Sequence, residues 1–251
     1  PPKLRTLGTI REKARAYKTT KQTKRNARPQ DFANCVEEPL FTNVPEEVEV
    51  LDLIPPPELH LMTGIVVKVY DQLCSRLESN PSLKAKIDLW AKSKNIRRED
   101  YRGGQMEGNK CRQLLKCAVE LGKELPDDLK VFALCLERLN KVVQACFGKT
   151  LLSVPDSSGK LKSFEELIFD FHQAYLKLRI SVTPKVHALV VHVPQWCHRN
   201  GVGLGSVSEQ ASESVHFDFG KKWELFKLHE DNKRFPQKLR DCVVSYNSSH
   251  L

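Results

Sequence analysis

Residues 129–147 read LKVFALCLERLNKVVQACF and form the most regular periodic stretch of the chain. Apolar residues recur in it at spacings of three and four, the pattern of one face of an α-helix. They are Leu129, Phe132, Ala133, Leu136, Leu139, Val143 and Phe147. The preceding Pro126-Asp127-Asp128 is a helix-start signal, since proline fits a first turn and acids there offset the helix dipole. The stretch therefore predicts a long amphipathic helix.

The same periodicity continues on both sides of this helix. Ser163 and Glu166 have capping-box spacing, and Thr183-Pro184 is an N-cap followed by a proline at the first helical position. The other predicted helices cover residues 61–77, 83–94, 109–121, 163–178, from 183 into a disturbance at Pro194, from 208 through 226, and 239–246. Gly201, Gly203 and Gly205 predict a flexible turn before the helix that starts at 208. No alternating strand set or internal repeat is found, so the predicted fold class is mostly α.

Charge divides the chain into three segments. Residues 1–30 hold ten Lys/Arg and one acid, residues 31–60 hold eight acids and no Lys/Arg, and residues 61–251 have a balance of +8. We predict a basic arm over 1–30, with a short helix around Ile10, Ala14 and Tyr17, and otherwise extended or disordered until bound. A proline-rich acidic connector over 31–57 and a helical domain over 58–251 follow.

The basic arm has two interpretations. A run of lysines and arginines is suited to a polyanion such as nucleic acid, and it is equally typical of a solvated arm beside a solvated face. Its densest part contributes the candidate polyanion contacts Lys18, Lys21, Lys24, Arg25 and Arg28.

Several classes of protein are excluded or disfavoured. No P-loop, dinucleotide fingerprint or Gly-x-Ser-x-Gly elbow is present, so no nucleotide cofactor is expected. No apolar run is long enough for a membrane helix, and we expect no membrane partner. The eight cysteines contain no Cys-x-x-Cys pair and lie mostly among apolar residues, as buried thiols do in a reducing compartment. The sequence starts with neither an initiator Met nor an apolar signal segment, and we expect the parent protein to be longer.

The candidate metal ligands are acidic and imidazole side chains in the last third of the chain. Glu209, Glu213 and His216 have spacings of four and three and would share one helix face, where carboxylates can hold Mg²⁺ or compensate the helix dipole. His187 and His192 are candidate zinc ligands. They lie about 140° apart on a regular helix and would converge only if Pro194 distorts it, with core histidines as the alternative.

Two further motifs lie nearer the first helices. Gly108-Asn109-Lys110-Cys111-Arg112 could present backbone amides and Arg112 to a phosphate, and helix capping by Asn109 is the simpler interpretation. Glu58-Leu59-His60 is interpreted by default as a cap or an interface.

In combination these motifs resemble a known family. Their order resembles the C-terminal part of the catalytic core of V(D)J recombinase-like and Transib-type DDE transposases, over about residues 3–223. The matching blocks are Leu59-His60, Gly108-Asn109-Lys110-Cys111-Arg112, His187 to His192-Val193-Pro194, Gly203-Leu204-Gly205, Ser208-Glu209 and Glu213-Ser214.

The resemblance implies a function, cofactors and partners. The chain would contribute the helical insertion and final catalytic helix of an RNase H-like core, with few or no strands. The catalytic, Mg²⁺- or Mn²⁺-binding glutamate corresponds to Glu213, with Glu209 as the alternative because Ser208-Glu209 also matches the family motif. This sequence has one more residue between the two glutamates than the family pattern. His187 and His192 correspond to ligands of a structural Zn²⁺ whose two cysteines, like two catalytic aspartates, would lie upstream of Pro1.

The implied partners are DNA and a second copy of the chain, and the implied location is the nucleus. Asn109 and Arg112 would contact the DNA together with the basic arm. The chain alone should not cut DNA. A transposon-derived DNA- or chromatin-binding module without catalysis is the first alternative. A ferritin-like carboxylate protein is the second: Glu213-x-x-His216 has that spacing, but Glu120 and Glu166 lack a histidine three residues later.

Overall fold

The computed structural model describes residues 5–24, 26–41, 43–98, 106–208 and 210–248, without the side chains of 210–214 and 216. The chain divides into two compact units, 1–207 and 208–251. The predicted mostly α class is confirmed: helices dominate, and the strands of the described residues form one two-stranded pair. None of the described helices is both long and apolar enough to cross a bilayer.

The helices of the first unit follow the predicted periodicity closely. They are α1 (Leu7–Thr23), α2 (Val50–Leu53), α3 (Glu58–Leu77), α4 (Pro81–Ser93), α5 (Gly108–Lys116), α6 (Ala118–Glu124), α7 (Lys130–Cys146), α8 (Phe164–Lys177), α9 (Pro184–His187) and α10 (Val193–Asn200). A π-helical segment, Ala188–His192, joins α9 to α10, and 3₁₀ turns cover Pro29–Phe32 and Leu204–Val207. The strands β1 (Val154–Pro155) and β2 (Leu161–Lys162) pair antiparallel between α7 and α8.

Helix α7 lies at the centre of this unit because apolar residues cover most of its surface. It packs on α8, α6, α5 and α3. Its residues Leu136, Leu139 and Val142 are fully buried, as are Ile65 and Val66 of α3. The periodic stretch that predicted α7 therefore organises the core.

Three sequence predictions are corrected by the structure. The helix predicted over 109–121 is broken at Cys117, whose ψ of 6° ends α5 before α6 begins. Asn109 does not cap α5, since Glu107 is the N-cap and Asn109 is already helical. The arm predicted as largely extended is helical to Thr23, because Thr6 caps it and Leu7, Ala14 and Tyr17 are buried.

Gly203 and Gly205, which follow α10, pack tightly against the backbone, although the sequence predicted a flexible turn there. Gly201, with φ of 66°, ends α10 in the left-handed region. The amides of Gly203 and Gly205 donate to the carbonyls of Lys149 and Gly148, both at 3.0 Å. A Cβ on Gly203 would lie 2.2 Å from the Gly148 carbonyl oxygen, so only glycine fits there.

We expect Gly203→Ala to lower the free energy of unfolding of the first unit by about 1–3 kcal/mol, because the backbone must shift to admit the methyl group. Gly122→Ala is the matched control, since its Cβ would lie 3.4 Å from the Cβ of Ala133 and alanine favours the helix. Urea unfolding followed by circular dichroism measures both. Equal stability of the two variants would contradict the close packing at Gly203.

The second unit is a pair of helices, α11 (Gln210–Glu224) and α12 (Phe235–Ser248). Edge-on ring contacts join them, Phe219 to Tyr246 at 5.5 Å and Trp223 to Phe235 at 5.7 Å between centroids. These aromatic residues, spaced four apart on α11, place its apolar stripe against α12.

Candidate functional site

The imidazoles of His187 and His192 meet on one side of the first unit. Their ring centroids lie 5.2 Å apart, with the rings nearly perpendicular. A regular helix would separate residues five apart by about 140°. The intervening segment is instead a π-helix, in which the amide of Val193 donates to the carbonyl of Ala188, five residues back. The distortion that the sequence required for convergence is therefore present.

Pro194 explains why the helix widens at this point. Proline has no N–H to donate to the carbonyl four residues earlier, and its ring would clash with that carbonyl in a regular α-helix. Such faults are commonly accommodated by a single π-helical turn. Pro194 is the second residue of α10 and follows the π-helical turn directly, so the wider turn accommodates its ring and its missing amide hydrogen.

His192 is oriented by a side chain that the sequence analysis did not single out. Its Nδ1 lies 3.1 Å from Oε1 of Gln195. Because an amide oxygen only accepts, Nδ1 carries the proton in this arrangement and Nε2 keeps the lone pair that binds a metal. The spacing His192-x-x-Gln195, one helical turn, could have identified this contact from the sequence.

Both histidines line a cavity of about 880 Å³. Its other walls come from the connector at Ile54 to Pro57, from Val182 to Pro184 at the start of α9, and from Arg5. Two ion pairs of Arg199, to Glu49 and Asp52 at 2.5 Å each, fasten the connector to α10 beside this cavity. The cavity is therefore bounded by segments from the beginning, the connector and the end of the first unit.

A complete metal site is not found within the described residues. They contain no group of three or more His, Cys, Asp or Glu side chains that could hold an ion. Two imidazoles are half of the four ligands that a tetrahedral zinc site needs.

Of the two predicted catalytic glutamates, Glu213 lies at the start of α11, in the second unit. The backbone of Glu213 is helical, within the first turn of α11. Its side chain and that of His216, together with Glu209 as a whole, lie outside the described residues. That Glu209, Glu213 and His216 share one helix face remains a prediction.

The Leu59-His60 and Gly108-Asn109 motifs are adjacent in space. A Cβ on Gly108 would lie 2.9 Å from Cδ1 of Leu59, so the glycine lets Leu59 pack against the first turn of α5. His60 and Asn109 are exposed, and Arg112 is half-buried. The two motifs form a contact between α3 and α5, with polar side chains at its rim.

The basic arm is folded against the acidic connector. Lys18 pairs with Glu37 at 2.5 Å, and Arg28 pairs with Asp31 at 3.0 Å. Glu37 raises the pKa of Lys18 by hydrogen bonding. Lys21 lies over the ring of Tyr17, 5.6 Å from its centroid. Lys24 is exposed, and Arg25 lies outside the described residues.

The arm also includes two cations that the sequence analysis did not propose as contacts. Arg11 pairs with Glu46 at 3.4 Å and Arg15 with Glu38 at 3.0 Å. The hydrogen bond with Glu38 raises the pKa of Arg15 and lowers that of Glu38. The spacing of Arg11, Arg15 and Lys18, four and three residues, could have shown that the three share one helix face.

A comparison of the chain with protein-family models, curated proteins and solved structures finds no match in any of the three.

Proposed function

We propose that this chain is the C-terminal portion of a DDE-type DNA transposase or recombinase of the V(D)J recombinase-like and Transib group. The observation that supports this most directly is the convergence of His187 and His192 on a π-helical segment. The resemblance requires these two residues to act together, and a regular helix would have kept them apart.

The spacing of the two imidazoles fits a shared zinc ion. Tetrahedral binding at Zn–N distances of about 2.0–2.1 Å puts two imidazole centroids about 5 Å apart. The rings here are 5.2 Å apart, and Nε2 of His192 is the nitrogen left to bind. Zn²⁺ with four protein ligands would be a structural element that links this cavity wall to the rest of the core.

The remaining two ligands would be the cysteines that the resemblance assigns to a Cys-x-x-Cys preceding Pro1. Arg5 lines the same cavity as the two histidines, so the chain passes the proposed zinc site as it approaches α1. This proximity supports an upstream source for the missing thiolates.

The resemblance assigns the metal-binding catalytic carboxylate to Glu213, with Glu209 as the alternative. Mg²⁺ or Mn²⁺ bound there, together with two upstream aspartates, would supply Lewis-acid chemistry for phosphodiester cleavage and strand transfer. The support for this catalytic role is the Glu213-Ser214 sequence motif, which lies at the start of α11. We also propose that the parent protein acts as a homodimer in the nucleus.

DNA is the proposed partner. Its phosphates would be contacted by Lys18, Lys21, Lys24, Arg25 and Arg28 of the arm and by Asn109 and Arg112 of α5, since such contacts position a duplex without reading its sequence. A transposon-derived binding module without catalysis is the second candidate function. It is favoured by the folded basic helix α1, because phosphate binding requires no metal.

Zinc content tests the proposal. In the protein that includes the residues preceding Pro1, we expect about one zinc per chain and its loss in the double variant His187→Ala/His192→Ala. Mass spectrometry of the metal after gel filtration in metal-free buffer gives the stoichiometry. His172→Ala/His198→Ala is the matched control, since His172 lies on α8 and His198 on the last turn of α10, and it should keep the metal.

Two results would count against the proposal. One is zinc retained by the His187/His192 variant at the level of the control. The other is a preceding sequence that has neither a Cys-x-x-Cys nor acidic residues able to complete the catalytic set.

A further inference from the structure

One face of α1 presents a row of three cations, and each of them meets a carboxylate. Arg11, Arg15 and Lys18 share this face. Their partners, in the same order, are Glu46, Glu38 and Glu37, so the connector runs antiparallel to the helix. A line of negative charge along a basic helix is also what a nucleic-acid backbone offers.

The segment 37–46 is held on α1 by more than these three pairs. The carbonyl of Glu46 accepts the amide of Gly8 at 2.9 Å, and the guanidinium of Arg11 also donates to the carbonyl of Phe41. Ahead of the segment, the 3₁₀ turn is also held on α1, because Tyr17 and Phe32 contact each other edge-on with centroids 5.5 Å apart. With these contacts in place, the side chain of Arg11 is only 12% exposed, whereas that of Lys18 is 47% exposed and that of Arg15 is 63% exposed.

The ion pairs themselves are weak enough to be replaced. Pairs between exposed side chains contribute little to stability and are screened by salt. A duplex backbone offers several phosphates at once and gains from the release of condensed counterions. Exchange of carboxylates for phosphates on α1 is therefore favourable once DNA is near.

We propose that the acidic segment 37–46 occupies the phosphate-binding face of α1, so that this segment and a DNA backbone compete for Arg11, Arg15 and Lys18. The inference rests on the proposed function, in which DNA is the partner. It adds Arg11 and Arg15 to the proposed DNA contacts. It also gives the connector a regulatory role, in which its negative charge sets the affinity of the arm for DNA.

The test removes the competing carboxylates and measures DNA affinity. In the full chain, Glu37→Gln/Glu38→Gln/Glu46→Gln should bind a fluorescein-labelled 30-base-pair duplex roughly tenfold more tightly than the unaltered chain, by fluorescence anisotropy. The slope of log Kd against log salt should steepen, because about three more phosphates are neutralised.

A matched control separates this effect from net charge. Glu78→Gln/Glu124→Gln/Asp127→Asn removes the same charge from acids that pair with Lys84, Lys86 and Lys130, away from α1. We expect it to gain about twofold at most. Adding Arg11→Gln/Arg15→Gln/Lys18→Gln to the connector variant should abolish the tenfold gain.

A second measurement requires no variant. A glutamate-specific protease should cleave after Glu37 and Glu46 several-fold faster when the duplex is present, because the segment is displaced from α1. Cleavage after Glu224 of the second unit serves as the reference site.

The outcomes separate the two proposals. Equal affinity of the connector and control variants, with binding that still depends on Lys21 and Lys24, would overturn the competition and leave DNA binding intact. No binding of any variant at low salt would overturn DNA as the partner, and the competition with it.

Discussion

Replacement of Phe171 with alanine should lower the free energy of unfolding of the first unit by about 3–5 kcal/mol. Phe171 lies on α8 where this helix packs against α7, its side chain is fully buried, and its ring contacts that of Tyr175 at 5.9 Å. Truncation leaves a cavity that two packed helices cannot close. The free energy of burying the ring is lost, and the cost of the cavity is added to that loss.

Phe169→Ala is the control with the same chemical change. Phe169 lies two residues earlier on α8 and is 61% exposed, so its removal should alter stability by about 0.5 kcal/mol or less. Urea unfolding of the full chain, followed by circular dichroism, compares the two midpoints. A loss for Phe171→Ala no larger than that for Phe169→Ala would mean that α7 and α8 do not form the core.

The helices of the first unit could be predicted because each carries its signal locally. The apolar period of α7, the capping box of Ser163 and the Thr183-Pro184 start all depend on residues within one or two helical turns. The structure confirms each of them, including the Ser163 side chain that accepts the amide of Glu166. Signals of this range survive in any tertiary context that buries the apolar face.

The errors arose where distant residues decide the local structure. The arm is helical to Thr23, with Tyr17 covered by Phe32 and Lys18 paired with Glu37, contacts that no local pattern contains. Gly203 has the composition of a flexible turn, but the carbonyl of Gly148, far along the chain, fills the space beside it. Composition alone does not distinguish a glycine that permits motion from one that permits close packing.

The candidate zinc pair was intermediate between these cases. The sequence contained both the histidines and the proline that could bring them together. It could therefore predict that the two imidazoles converge if Pro194 distorts the helix, but not that this distortion occurs. The geometry that fulfils it, an amide of Val193 bonded five residues back, depends on how the whole turn packs. The orienting contact from Gln195, one helical turn after His192, was by contrast within reach of the sequence, although it was not predicted.

Glu213→Gln should reduce DNA cleavage by the parent protein by at least roughly a thousandfold, if Glu213 is the metal-binding carboxylate. Glutamine keeps the size of the side chain but removes the charge that holds a divalent ion, and the transition-state stabilisation lost with such an ion is several kcal/mol. Nicking of supercoiled plasmid DNA in the presence of Mn²⁺ measures the rate, with the protein that includes the residues preceding Pro1.

Two companion variants make the result specific. Glu224→Gln alters an exposed glutamate at the other end of α11, paired with Lys227 at 3.2 Å, and should leave cleavage unchanged. Glu209→Gln decides between the two candidate positions: the catalytic residue is whichever variant loses activity while duplex affinity is maintained. Removal of a negative charge cannot itself weaken attraction to phosphate, so cleavage and binding should separate.

If both variants cleave as fast as the control, neither glutamate holds a catalytic metal. If no variant cleaves at all but the duplex still binds through α1, the non-catalytic module becomes the better description. The zinc measurement is independent of both results, because His187 and His192 would stabilise the fold of a binding module as well as that of an enzyme. Zinc together with cleavage that depends on Glu213 or Glu209 is the combination that the transposase proposal requires.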